Sequence, residues 1–251
     1  MFSHLTAYAG PWPTPIGKGQ IISTTLTDHA NKAYDEDGDL SLGVEFAKFD
    51  TGLFWEHGLS KDITVVLHSS LQDINFSSGV DQAEFKGLGE SGIGLRHVLW
   101  QDERSVLSTQ MSVIFPSSGE TISDADLGFG ATNFEMRVLA GRSFKFAQKD
   151  GFVDVQAAWR LRPSDNPDEY RVDGTVGWRP KENIQVLAQG FYAQGNGKFG
   201  IARQNSRLKL QTSLVYDKTP KTSYQIGVYQ TVAGRNIVKE KALFFGVWQR
   251  Y

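Results

Sequence analysis

The chain has 251 residues, with 26 Lys and Arg against 28 Asp and Glu and a formal net charge of -2, so it lacks the basic footprint of a nucleic-acid binder. It is 40% hydrophobic but holds no apolar run near the roughly twenty residues a membrane helix needs, which excludes a helical membrane protein. Without cysteine there is no disulfide or thiolate metal site, and 26 glycines with 12% aromatics suit strands and turns better than helix packing.

Residues 1-18 come first. Met1 to Ala9 have no basic n-region and no apolar core, yet Ala7-Tyr8-Ala9 reads as a small-x-small cleavage site. This part is expected to be an N-terminal periplasmic segment, either the remnant of an export signal or a disordered tail. From Gly19 to Tyr251 period-two segments recur, which gives an all-β reading with strands near 19-27, 41-57, 63-76, 89-100, 105-116, 133-146, 152-162, 169-179, 184-194, 205-216, 222-231 and 241-251. Five short polar connections, at 58-62, 101-104, 147-151, 180-183 and 217-221, alternate with longer ones around 28-40, 77-88, 117-132, 163-168, 195-204 and 232-240. That sorting is expected of a transmembrane antiparallel up-and-down β-barrel of about twelve strands, with both termini in the periplasm. Ten residues at about 3.3 Å, tilted by roughly 45°, cover on the order of 23 Å, close to the apolar band of such a barrel.

Within the strands one face is apolar and the other polar. Val153, Val155, Ala157, Trp159 and Leu161 alternate with Asp154, Gln156, Ala158 and Arg160, and Tyr170, Val172 and Val176 alternate with Arg171, Asp173 and Thr175. In a barrel the polar parity faces the lumen. The charged pore candidates are therefore Glu90, Arg96, Glu135, Arg137, Asp154, Arg160, Arg171, Asp173, Arg179, Arg207 and Lys209, expected to pair across strands because an unpaired charge in a low-dielectric wall is costly. Strands that run toward the short turns end in Trp55, Trp100, Phe146, Trp178, Tyr216 and the pair Trp248 and Tyr251, an expected aromatic girdle at one membrane interface. The last ten residues, Ala242 to Tyr251, read as a terminal strand closed by an aromatic.

Three stretches carry a family resemblance: Trp55-Glu-His-Gly-Leu59-Ser-Lys-Asp62-Ile-Thr-Val65, Gly87-Leu-Gly89-Glu-Ser-Gly-Ile-Gly-Leu95-Arg-His-Val-Leu-Trp100 and Val106-Leu-Ser-Thr-Gln-Met-Ser-Val-Ile-Phe-Pro116. Over roughly residues 50 to 195 the chain resembles the bacterial outer-membrane β-barrel family named for the meta-pathway of phenol degradation. It departs from that pattern at His57, where the family tends to have Tyr, and from the usual terminal strand at Gln249, where an apolar side chain is common. The resemblance implies a transporter of small, hydrophobic or aromatic organic compounds.

Other motifs are weaker. Gly87-Leu-Gly89-Glu-Ser-Gly92 and Gly195-Asn-Gly197-Lys-Phe-Gly200 match a dinucleotide fingerprint, but each leads into a strand where such a site needs a helix. The acidic run Asp35 to Asp39 lacks EF-hand spacing and reads as a solvated loop. A lipid hydrolase would need a Ser-His pair, for which His97 with Ser108 or Ser91 is the one imaginable choice, and scattered histidines give no metal site. The expected function is a passive outer-membrane channel, not an enzyme and without a cofactor. Its expected partners are outer-membrane lipids, the barrel-assembly machinery and small organic solutes, with no nucleic acid. A structural or adhesive barrel is the first alternative and an outer-membrane lipid hydrolase the second.

Overall fold

A sheet that is apolar on one face and charged on the other needs two different surroundings, and closing the sheet into a tube supplies them. In the computed structural model, which describes residues 10-79, 81-122, 131-163, 168-195 and 205-251, these residues form one antiparallel sheet of 15 strands. The strands are β1 (Gly19–Tyr34), β2 (Leu40–Gly58), β3 (Ile63–Ser78), β4 (Asp81–Leu88), β5 (Ser91–Gln101), β6 (Ser105–Phe115), β7 (Ser118–Ile122), β8 (Asn133–Phe146), β9 (Lys149–Leu161), β10 (Glu169–Lys181), β11 (Ile184–Gly195), β12 (Asn205–Asp217), β13 (Thr222–Arg235), β14 (Ile237–Val238) and β15 (Lys241–Arg250).

Twelve of them close a barrel in the order β1-β2-β3-β5-β6-β8-β9-β10-β11-β12-β13-β15. The ring shuts where β1 pairs with both β2 and the C-terminal β15, in a register from Gln20↔Arg250 to His29↔Lys241. Closure leaves no free edge among these strands at membrane depth, the condition for a sheet to sit in lipid. Polarity is reversed relative to a water-soluble protein: Leu53, Leu95, Met111, Met136, Val155, Val172, Leu214 and Phe245 are exposed, whereas Gln20, Glu56, Arg96, Glu135, Arg160 and Glu169 are buried.

Besides the two-residue β14, three segments read as connections are strand. β1 continues past residue 27 to Tyr34, β4 occupies 81-88, and β7 occupies 118-122. β4 extends β5 and pairs with β3 and β7, so it and β7 raise the wall at the long-connection end. On β4 the polarity is the reverse of a lipid-facing strand: Gln82, Glu84 and Lys86 lie on the exposed face and Ala83 and Phe85 on the buried one.

Candidate functional site

The lumen is organised by register. One hydrogen-bonded row runs around the inside of the wall through Thr64, Arg96, Gln110, Arg137, Ala158, Arg171, Ala193 and Arg207, one residue from each of eight consecutive barrel strands. Arginine therefore recurs on every second strand, and the two positions that separate the last three are alanines, which leave the guanidinium groups room. Because barrel strands are tilted, a row perpendicular to them climbs, here from the short-turn end at Thr64 toward the long-connection end at Arg207.

Acids in the adjacent rows answer the arginines. Glu135 pairs with Arg137 at 2.9 Å and with Arg160 at 3.0 Å, Asp173 accepts from Arg137 at 2.6 Å, and Glu90 accepts from Arg160 at 2.8 Å. Arg96 and Glu56 form a pair at 2.9 Å that is sealed from solvent. Arg179 pairs with Asp217, Lys209 with Glu240, and Asp154 accepts from Gln156 at 3.0 Å. Glu169 receives three guanidinium groups, those of Arg162, Arg171 and Arg207. The charged residues named from the sequence meet in these contacts, Glu90 from the link between β4 and β5. Four of the seven acids in these ion pairs were not among them: Glu56, Glu169, Asp217 and Glu240 lie at strand ends or in connections, where alternation is hardest to assign. Glu169 nevertheless shares the parity of Arg171 and Asp173, a signal that was available. Asp28 and Asp50 face inward from β1 and β2, which lie across the ring from β9 and β10, and Asp28 accepts from Tyr229 at 2.5 Å.

The two ends of the lumen differ. At the short-turn end Gln20, Glu56, Ser108 and Ser223 are fully buried, and an apolar cluster of Leu187, Val215 and Trp248, backed by Ile22 and Phe152, fills one side. The other side is filled by residues 10-14. Pro11, Pro13 and Pro15 remove every second amide donor, so this stretch cannot join the ladder as another strand. It lies instead as a strap across the inner wall: Ser108 Oγ donates to the Pro11 carbonyl at 2.6 Å, Thr14 N donates to Thr64 Oγ1 at 3.0 Å, and Trp12 meets Phe152 edge-on at 5.7 Å. Gly141 lies beneath the strap, where a Cβ would strike Pro11 and Trp12. Residues 10-14 pack against the inner wall while Pro15 and Ile16 are exposed; residues 1-9 lie outside the described residues. Toward the other end the lumen is wetter, with the Glu90 side chain 41% exposed.

The aromatics near the short turns divide. Trp100, Phe146, Tyr216 and Tyr251 are exposed, and the half-buried Trp178 meets Phe146 edge-on. Trp55, His57 and Tyr251 stack side by side at the closing seam. Trp248 departs from this ring: it is buried inside the barrel and donates to Gln225 at 3.0 Å. It stands three residues from Tyr251, and an odd spacing in a strand puts two side chains on opposite faces. The imagined Ser-His pair is not formed either. His97 lies on the outer face, Ser108 is held inside by Pro11, and Ser91 bonds Ser69 at 2.8 Å. Asp35 closes its own turn by accepting from Asp37 N at 3.0 Å and Asp39 N at 2.8 Å. The first glycine fingerprint joins β4 to β5, and most of the second lies outside the described residues.

No protein-family model and no curated protein matches the chain. Solved structures do. An outer membrane channel from Pseudomonas putida F1 is similar over 96% of this chain and 98% of its own, with a TM-score of 0.75 at 14% identity. The translocator domain of the autotransporter NalP from Neisseria meningitidis covers 95% of this chain and 90% of its own at 12% identity, with a TM-score of 0.64. The NanC porin covers 89% and 98% at 10% identity, with a TM-score of 0.51. At these identities the likeness shows the fold, that of a closed outer-membrane-type β-barrel, and leaves the solute to the chemistry of this lumen.

Proposed function

We propose that the protein is an outer-membrane channel for small organic solutes, set in the bilayer with its short turns toward the periplasm and its longer connections outside. The observation that carries this reading is the lumen itself. A wall of paired charges opens toward the long-connection end, while the opposite end is filled by a strap whose one backbone bridge to the sheet, among the described residues, is Ile16 with Gly58, at its exposed end. Passage requires the strap to leave its place against Ser108 and Thr64 while the barrel stays shut.

The fold likeness to an outer membrane channel supports the reading, and so does the resemblance to the meta-pathway phenol degradation family. That resemblance favours hydrophobic or aromatic compounds, and Phe191, on the inner parity of β11 between Asp173 and Lys209, supplies ring surface in the lumen. The exposed apolar face would contact outer-membrane lipids, the stacked Trp55 and Tyr251 with Trp100, Phe146, Trp178 and Tyr216 would form the periplasmic girdle, and β15 would be the strand read by the barrel-assembly machinery. The reading assigns no catalysis.

A second reading, a structural or adhesive barrel without transport, is favoured by the packed short-turn end. Solute-swelling of liposomes and planar-bilayer current with the full chain separate the two. The channel reading expects swelling in small organic solutes and a measurable unitary current; a folded, inserted barrel that passes neither contradicts it.

A further inference from the structure

The carboxylate of Glu169 is 3% exposed and spent on three arginines, whereas the guanidinium-bearing side chains around it keep open faces: 21% of Arg162, 23% of Arg171 and 27% of Arg207. Arg162 holds Glu169 Oε2 at 3.1 Å, Arg171 holds Oε1, and Arg207 stands back at 3.6 Å from the same Oε2. Three positive groups on one negative group leave a local excess at the wetter end of the lumen, and planar guanidinium groups offer the paired donors that a carboxylate accepts. Register supplies the shape. Ala193 lies in the row between Arg171 and Arg207, so the space between the two arginines is not filled by a side chain of their size. One row toward the short turns, Phe191 occupies the same strand on the same inner face.

We infer that Arg171 and Arg207, over Ala193 and beside Phe191, form a binding site for aromatic monocarboxylates entering from the long-connection end. The carboxylate takes the donors that Glu169 leaves unused, and the ring lies against Phe191. Arg137, two strands further along the row, is the next positive group inward and is more fully neutralised by Glu135 and Asp173, so the site holds an anion at the mouth of the lumen without drawing it into a deep trap. The inference rests on the channel reading for its biological sense but not for its test.

The test is equilibrium binding of benzoate to the full chain refolded in detergent, with benzyl alcohol as the uncharged comparison, for the wild type, R171Q/R207Q and F191L. In the double variant Glu169 keeps Arg162, so no buried acid is left unpaired, and heat-modifiable migration on gels confirms the fold. Benzoate is expected to bind better than benzyl alcohol, to lose about tenfold in affinity in R171Q/R207Q, and to lose less in F191L. Benzoate binding that is absent in the wild type, or equal in the wild type and the folded double variant, overturns the site. Bilayer current on the same preparations reports separately. Binding without any current keeps the site and rejects the channel, whereas current with no change in benzoate binding or anion preference keeps the channel and rejects the site.

Discussion

The Tyr251 hydroxyl accepts the indole N–H of Trp55 at 2.9 Å and lies 3.1 Å from His57 Nδ1, reaching across β1 from the last residue of the chain to β2. The path crosses Gly19, where a Cβ would overlap the Tyr251 ring and hydroxyl. The seam that closes the barrel is thus clasped on its outer face at the short-turn end, and His57, a departure from the family resemblance, is one of the three rings.

Deleting Tyr251 is therefore expected to lower the yield of folded barrel far more than neutralising Asp37 and Asp39, which lie in an exposed turn at the other end. Y251F keeps the ring stack and loses the hydrogen bonds, and should cost about 1 kcal/mol. G19V should behave like the deletion, because the tyrosine can no longer cross. Heat-modifiable gel migration after refolding measures each yield, and equal tolerance of all these changes removes the clasp from the account.

The wall predicts opposite outcomes for neighbouring residues. Val172 is 47% exposed on the outer face and Arg171 lies on the inner one. V172R should destabilise the barrel in bilayers by about 2-4 kcal/mol near the midplane, while R171A should leave folding nearly intact and shift ion preference toward cations. Reversible unfolding in lipid vesicles, combined with conductance, decides; a harmless V172R with a misfolded R171A would invert the assignment.

Glu56 and Arg96 are a sealed pair, and breaking one side leaves a buried charge. E56A is expected to cost about 3-5 kcal/mol, whereas E56L/R96M, which replaces both charges with apolar groups, should recover most of it. The same unfolding measurement tests this, and a double variant as unstable as E56A would show that packing rather than the lone charge sets the cost.

How much of this was legible in the sequence follows from where lipid touches the chain. Wherever a strand crosses the membrane, the outer face must be apolar and the inner one polar, and the twelve crossings declare themselves by that alternation. Beyond the membrane the exposed face no longer has to be apolar, as Gln82, Glu84 and Lys86 on β4 show, so β4, β7 and the outer half of β1 read as connections although they are paired. The charged residues were legible by parity; their pairing was not, because Arg137 reaches Asp173 from a strand two places away and sequence does not give the stagger. Trp248 could have been placed inside by counting its parity against Phe245 and Tyr251 rather than by its nearness to the end. The strap was written in the alternating prolines at 11, 13 and 15, which say that the segment is extended and cannot join a sheet, but not that it turns into the barrel.

The central claim is that this barrel conducts when the strap leaves the lumen, and its most direct test uses the absence of native cysteine. Thr14 lies against the wall with its N 3.0 Å from Thr64 Oγ1, so T14C/T64C is the pair used to tether strap and wall, with formation of the bond confirmed by the loss of free thiol. Unitary current is measured in planar bilayers before and after reduction on the same inserted molecules. The account predicts a closed or nearly closed barrel when oxidised and a rise in current to the wild-type level when reduced. Identical current in the two states, or none in either state and none in the wild type, would contradict it.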